Sequence, residues 1–154
     1  MKKIKFRGKR PNGSYNHGRN IRFKNNGSVL ILGADVIPET VGQFVGLYDK
    51  NGKEVYEHDY ISINYKYEQH TINGAIPDQD CLCYGEVVFM DEFSCFGIRL
   101  YDAEYPIKQS LNECPYMTVP LLHFDLDGDS IEVLGNIFDN PELLEKGVQD
   151  GQTE

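Results

Sequence analysis

Two stretches of the sequence hold residues whose types and spacing could bind a cation. Asp125-Leu126-Asp127-Gly128-Asp129-Ser130-Ile131-Glu132 sets carboxylates at alternate positions, and carboxylates are the hard oxygen ligands that calcium takes. An EF-hand loop also needs Gly at its sixth place and Glu at its twelfth. Counted from Asp125, those places hold Ser130 and Asn136, so Asp127-Gly128 reads as a hairpin turn instead. Cys81 and Cys83 are separated by one residue, whereas structural zinc sites use two to four. His70, Cys95, Cys114 and His123 would have to converge from separate segments. The four cysteines therefore read as ordinary reduced thiols, and no metal or other cofactor is expected. The four histidines, His17, His58, His70 and His123, accompany no nucleophile elbow, phosphate loop or dinucleotide fingerprint. Tyr15-Asn16-His17-Gly18-Arg19 is flanked by Gly but matches no catalytic pattern. No enzymatic activity is expected.

The basic residues carry more information. Lys2, Lys3, Lys5, Arg7, Lys9, Arg10, Arg19, Arg22 and Lys24 are nine of the 15 Lys and Arg, and the first acid is Asp35. The first 34 residues thus carry +9, and the remainder, with six basic and 24 acidic residues, carries −18. Lys3, Lys5, Arg7, Lys9, Arg10, Arg19, Arg22 and Lys24, with Phe6, Tyr15 and Phe23 among them, suit a phosphate backbone with aromatics stacking on bases. The same charges suit docking on the acidic body or on a neighbouring subunit. A third reading is a solvated face. The overall charge of −9 argues against a classical basic nucleic-acid binder.

The elements that must position these residues are mostly strands. At 154 residues, 40% hydrophobic and 25% charged, the chain can bury a core without disulfides or metal. No window approaches the roughly 20 apolar residues of a membrane span. The charged start has no apolar run behind it, so a cytoplasmic location is expected and no membrane partner. Asn12-Gly13, Asn26-Gly27, Asn51-Gly52 and Asn73-Gly74 are hairpin-turn signals. Between turns, β-branched and aromatic residues predict strands over 3–7, 21–24, 28–32, 60–68, 85–90, 95–101, 119–125 and 130–138. In the strand from Tyr60, Ile61, Ile63, Tyr65 and Tyr67 share one face. Long loops are expected at 67–84, which contains Pro77, and at 102–120, which contains Pro106, Pro115 and Pro120. Asn140-Pro141-Glu142-Leu143-Leu144-Glu145-Lys146-Gly147 has the cap, first-turn acid and terminal Gly of a short helix. Its two leucines should dock on the body, and the polar tail from Val148 to Glu154 should fray.

Three stretches together resemble the YopX-like family of phage and prophage proteins. They are Val41-Gly42-Gln43-Phe44-Val45-Gly46-Leu47-Tyr48-Asp49-Lys50-Asn51-Gly52-Lys53-Glu54-Val55-Tyr56-Glu57-His58-Asp59-Tyr60-Ile61, then Gly85-Glu86-Val87-Val88-Phe89 with Cys95-Phe96-Gly97-Ile98, and finally Ile131-Glu132-Val133-Leu134-Gly135-Asn136-Ile137-Phe138-Asp139-Asn140-Pro141-Glu142-Leu143. Ile4-Lys5-Phe6-Arg7 also looks like the family's start. The resemblance implies a mainly β fold: a C-terminal SH3-type small barrel over 41–139, a smaller basic N-terminal β subdomain over 1–40, and a short helix and tail over 140–154. Gly is usual in the family where His58 stands, at a diverging turn that calls for positive φ. The family is functionally uncharacterised, so the resemblance supplies no activity.

The expectation is a non-enzymatic accessory or binding module of phage or prophage type, acting in the cytoplasm of a bacterial host. Its leading function is protein–protein interaction, self-association included, since tyrosines suit interface cores. The alternative is nucleic-acid binding through the basic N-terminal segment.

Overall fold

Asn-Gly pairs fold the first half of the chain into short hairpins. The computed structural model describes residues 3–124, 126 and 130–144. The Asp127-Gly128 turn and the end of the predicted helix, Lys146 and Gly147, lie outside these residues, as does the tail. Across 10–14, 24–28 and 49–53 the same three-residue loop recurs. In each, the first residue's N–H donates to the last residue's carbonyl, and the Gly donates back to the first carbonyl. Gly13, Gly27 and Gly52 have φ of 91°, 88° and 79°, which closes the loop as a type I turn with a left-handed residue. In the first two loops Asn12 and Asn26 add side-chain acceptors for the amides of Ser14 and Ser28.

The strands are β1 (Phe6–Lys9), β2 (Tyr15–Gly18), β3 (Ile21–Phe23), β4 (Val29–Ile31), β5 (Ala34–Val36), β6 (Gly42–Tyr48), β7 (Glu54–Tyr56), β8 (Asp59–Thr71), β9 (Gly74–Met90), β10 (Cys95–Ala103), β11 (Thr118–Pro120) and β12 (Ile131–Asn136). Helix α1 spans Ile107–Glu113. The strands form three antiparallel sheets, in the orders β2-β1-β6-β7, β3-β4-β5 and β11-β10-β9-β8-β12. The fold is mainly β. Irregularities in the β8–β9, β9–β10 and β8–β12 registers bend the five-stranded sheet into a half-barrel.

Two cores follow from the alternation. Ile61 and Ile63 of β8 are fully buried with Val55, Cys81, Cys83, Val87, Ile98 and Leu100, while Tyr65 and Tyr67 pack against them. The four residues expected on one face of that strand do share it. Val29, Ile31 and Val36 form a smaller core, with Phe6, Ile21 and Val41 against it. Gly8 of β1 permits this packing: a Cβ there would stand 2.9 Å from the Val36 side chain. The first sheet joins β1, before residue 40, to β6, after it.

Several expectations need correction. The segment 67–84 is not a loop: β8 and β9 continue through it as one long hairpin, paired to Thr71 and Gly74. Pro77 is tolerated because it sits with Asp78 in a bulge, two residues facing Glu68 alone, where no ladder amide is needed. Asp78 has φ 57°, the left-handed residue of that bulge. The segment 102–120 is not a loop either, since it holds α1 and β11. Pro106 precedes the first helical residue, where a missing amide hydrogen costs nothing, and Leu111 is buried. The strand expected over 119–125 is only Thr118–Pro120, after which a 3-10 turn, Leu121–His123, buries Leu121. The first strand runs Phe6–Lys9 rather than 3–7, because its partner β2 returns across the 10–14 loop. At the C-terminal side the backbone is helical over 142–144, with Leu143 and Leu144 half-buried. Asn140 accepts the first helical bond at its carbonyl, from Leu143. Its side chain turns back instead, to accept the Asn136 amide at 3.3 Å.

Candidate interaction surfaces

Period-2 geometry divides the basic segment into an inward and an outward set. Lys5, Arg7 and Lys9 alternate along β1 and its approach, so they share a face, and each meets an acid of the later chain. Lys5 Nζ lies 3.0 Å from Glu54, Arg7 Nη1 donates to Asp59 at 2.8 Å, and Lys9 Nζ donates to Asp139 at 2.7 Å. The first and third pairs are partly exposed, whereas Arg7 and Asp59 are buried.

Arg7–Asp59 is the most buried ion pair among the described residues. Its guanidinium lies between the rings of Tyr15 and Tyr56, 5.2 and 4.8 Å from their centroids. A second nitrogen donates to the Glu57 carbonyl at 3.3 Å. The other oxygen of Asp59 accepts the Tyr56 amide at 2.9 Å. Burial lifts the Asp59 carboxyl above the usual carboxylate range, and the Arg7 charge works against that. Burial also lifts the Tyr15 phenol to about 12, reinforced by Asp139. Asp139 is held below its usual range: burial would raise it, but bonds from Lys9, Asn136 and Tyr15 outweigh burial. These groups fasten the N-terminal hairpin to the body.

Lys3, Arg10, Arg19, Arg22 and Lys24 are exposed and make no ion pair among the described residues. Arg22 lies on β3, and Lys24 follows its last residue, Phe23. With Asn20, Leu30 and Gly33 they line a groove of about 260 Å³. Phe23 stands between them in sequence and is 70% exposed. Asp35, two strands away, is the acid nearest in register: Arg22 pairs Leu30, and Leu30 pairs Asp35.

The bent end of the β8–β9 hairpin is a second projecting surface. From Tyr67 outward four residues remain before the turn, so the arm extends about 13 Å beyond the packed tyrosines. Ile72 at its tip is fully exposed and Ile76 is 44% exposed. At the opposite end of β9, Val45, Leu47, Phe96, Leu121, Leu122 and Phe124 line an apolar groove of about 450 Å³. The sequence reading missed both surfaces. Asn73-Gly74 announced the tip, but Pro77 broke the alternation that would have carried the strands to it.

His58 has φ 76°, as the diverging turn requires. Its ring packs edge-on to Phe138, and Nδ1 lies 3.7 Å from Glu86, beyond hydrogen-bond range and an ion pair when the ring is protonated. Glu86 draws the His58 pKa upward against the effect of burial. Glu86 itself accepts from Arg99 at 2.7 Å. Cys81 and Cys83 are buried, Cys95 is half-buried beside the apolar groove and Cys114 is exposed. Burial pushes both the Cys81 and the Cys83 thiol up, away from reactivity. His70 lies on the exposed arm and His123 in the 3-10 turn. Among the described residues no three metal-ligating side chains gather.

The class defined here is a mainly β protein whose outward features are a hairpin arm, an apolar groove and a basic sheet face. The YopX protein family matches residues 3–145, and the chain belongs to that family. No curated protein matches it.

Proposed function

We propose that this YopX-family chain is a non-enzymatic binding module acting through contact with other protein, a second copy of itself included. The observation that carries this reading is the β8–β9 arm. A two-stranded ribbon exposing Ile72 and Ile76 beyond the core leaves apolar surface in water. The apolar groove beside Leu122 supports the same reading, because Leu122 is 74% exposed on its rim. In architecture, residues 41–139 read as an SH3-type small barrel and residues 1–40 as an N-terminal subdomain laid against it. The bulged, bent five-stranded sheet supports the barrel reading.

Sedimentation velocity of the intact chain beside Ile72→Asp/Ile76→Asp tests the self-association arm of the proposal. A concentration-dependent increase in mass for the intact chain, abolished in the variant, is the expected result. A monomeric mass for both at high micromolar concentration removes self-association.

A further inference from the structure

The geometry points to the outer face of the β3–β4–β5 sheet as a binding site for the sugar-phosphate backbone of single-stranded nucleic acid. It stands on residues separate from the hairpin arm, so it survives or fails independently of the reading above. Four observations carry it. First, the sequence-wide pool of N-terminal cations is split by the fold. Lys5, Arg7 and Lys9 are neutralised by Glu54, Asp59 and Asp139. Arg19, Arg22 and Lys24 have no acid in ion-pair range among the described residues, so their counter-charge must come from solvent or from a ligand. A face needed only to hold the N-terminal segment on its acidic body would have been paired likewise.

Second, Arg22 on β3 and Lys24, the first residue of the 24–28 loop, both line one groove and are two residues apart, so their Cα atoms are at most about 7 Å apart. That is of the order of the spacing between successive phosphates in an extended strand. Third, Asn20, Arg22 and Lys24 border a groove of about 260 Å³ whose lining also contains Leu30 and the unobstructed backbone of Gly33. Its lining combines cationic and amide side chains with one apolar residue, as a backbone-and-sugar track would.

Fourth, β3 is an edge strand, and Phe23 projects from it 70% exposed on the other side from Arg22. A strand following this open edge sets phosphates on Arg22 and Lys24 and a base against Phe23, the combination by which single strands are bound without sequence preference. The ligand is a single strand rather than a duplex for an electrostatic reason. Duplex DNA carries a charge for about every 1.7 Å of axis and is stiff, so it would lie its phosphates along a body whose net charge is −18. A flexible single strand can engage the small face and leave the body alone. Asp35 stands on the same face and weakens its far side, which confines the track to the β3 edge.

Fluorescence anisotropy with a labelled 20-nucleotide oligothymidylate tests the inference, alongside a 20-base-pair duplex and polyglutamate as competitor. Two phosphate contacts, from Arg22 and Lys24, give a slope of log K against log salt of about −1.4, hence about a sevenfold loss of affinity between 50 and 200 mM salt. In Arg22→Ala/Lys24→Ala the slope falls to near zero and that loss nearly disappears. Phe23→Ala weakens binding about fivefold or more with the slope unchanged, since stacking releases no counterions. These side chains are exposed, and unchanged circular dichroism and melting temperature will verify that the variants fold. The inference is overturned by absence of oligothymidylate binding at 50 mM salt, or by a slope that Arg22→Ala/Lys24→Ala leaves unaltered. Tighter binding of the duplex overturns the single-strand assignment. Polyglutamate displacing the oligonucleotide at equal charge concentration would overturn it in favour of an acidic protein ligand.

Discussion

Replacing Arg7 by Met removes the guanidinium at nearly constant volume and leaves Asp59 buried with one donor, the Tyr56 amide. Both partners are almost fully enclosed, with side chains 8% and 1% exposed. Breaking such a pair from one side costs about 3–5 kcal/mol, because the carboxyl left behind is either a buried charge with one donor or must take up a proton. Loss of the contacts to Tyr15 and Tyr56 belongs to the same figure, at about 1–2 kcal/mol. The two other pairs of the β1 ladder are different. Lys5–Glu54 and Lys9–Asp139 are a quarter or more exposed, and Lys5→Ala or Lys9→Ala should cost about 1 kcal/mol or less. The assay is urea unfolding followed by tyrosine fluorescence and far-UV circular dichroism, since the chain has ten Tyr and no Trp. A loss near 4 kcal/mol moves the midpoint by roughly 2 M for a slope of about 2 kcal/mol/M. Asp59→Asn and the double variant complete a cycle, in which the double variant is less destabilised than the two single losses summed. An Arg7→Met cost no greater than that of Lys9→Ala, or a strictly additive cycle, would refute the account of β1 as an internal electrostatic anchor.

Other consequences concern titration, turns and thiols. Asp49 accepts the amides of Asn51, Lys53 and Val133 at 2.9, 2.9 and 3.1 Å. Burial would raise its pKa, but those donors hold it below the usual range. Its contribution is therefore complete above the unfolded carboxylate pKa of about 3.9 and is lost as pH falls through the lower folded value. Asp49→Asn should cost about 1.5–3 kcal/mol at pH 7 and flatten the acid limb of a stability-against-pH curve. His58 is raised by Glu86, so its contribution is complete below about pH 6.5 and lost as pH rises through its higher folded pKa. His58→Gln should remove that alkaline-side decline in melting temperature. At φ 76° a β-branched side chain is strained, so His58→Val should cost about 2 kcal/mol more than His58→Gly by urea unfolding. A thiol reagent added to the folded chain should label Cys114 rapidly, and Cys81 and Cys83 only after denaturant exposes them, read by intact mass.

Much of the fold was legible where a local cause sufficed. The recurring Asn-Gly turns, the shared face of Ile61, Ile63, Tyr65 and Tyr67, and the positive φ of His58 each follow from a property of a few neighbouring residues. The misreadings arose where distant partners decided. Pro77 looks like a strand breaker until a bulge opposite Glu68 removes the need for its amide. Pro106 marks a helix start as well as a loop, and only the burial of Leu111 distinguishes them. Leu32-Gly33 makes the two-residue turn between β4 and β5 with φ 52° and 77°, although Leu is not a turn former. Its packing against Gly18 is long-range, invisible to composition. The candidate residues divided in the same way. Charge asymmetry named Lys3, Lys5, Arg7, Lys9, Arg10, Arg19, Arg22 and Lys24 as one group. Which of them meet acids depends on the pairing of β1 with β6 and on where Glu54, Asp59 and Asp139 fall, which no local pattern encodes.

The central claim is that the tip of the β8–β9 arm is a protein-contact surface. A photo-crosslinking residue at position 72, compared with one at Asn112 on the exposed side of α1, measures this most directly. The crosslinker is activated in the purified protein and in cells making it, with adducts identified by mass spectrometry. The account predicts discrete protein adducts from position 72, to a second copy or to another chain, and none of comparable yield from position 112. Equal, diffuse labelling from both positions, or no protein adduct from position 72, would contradict it.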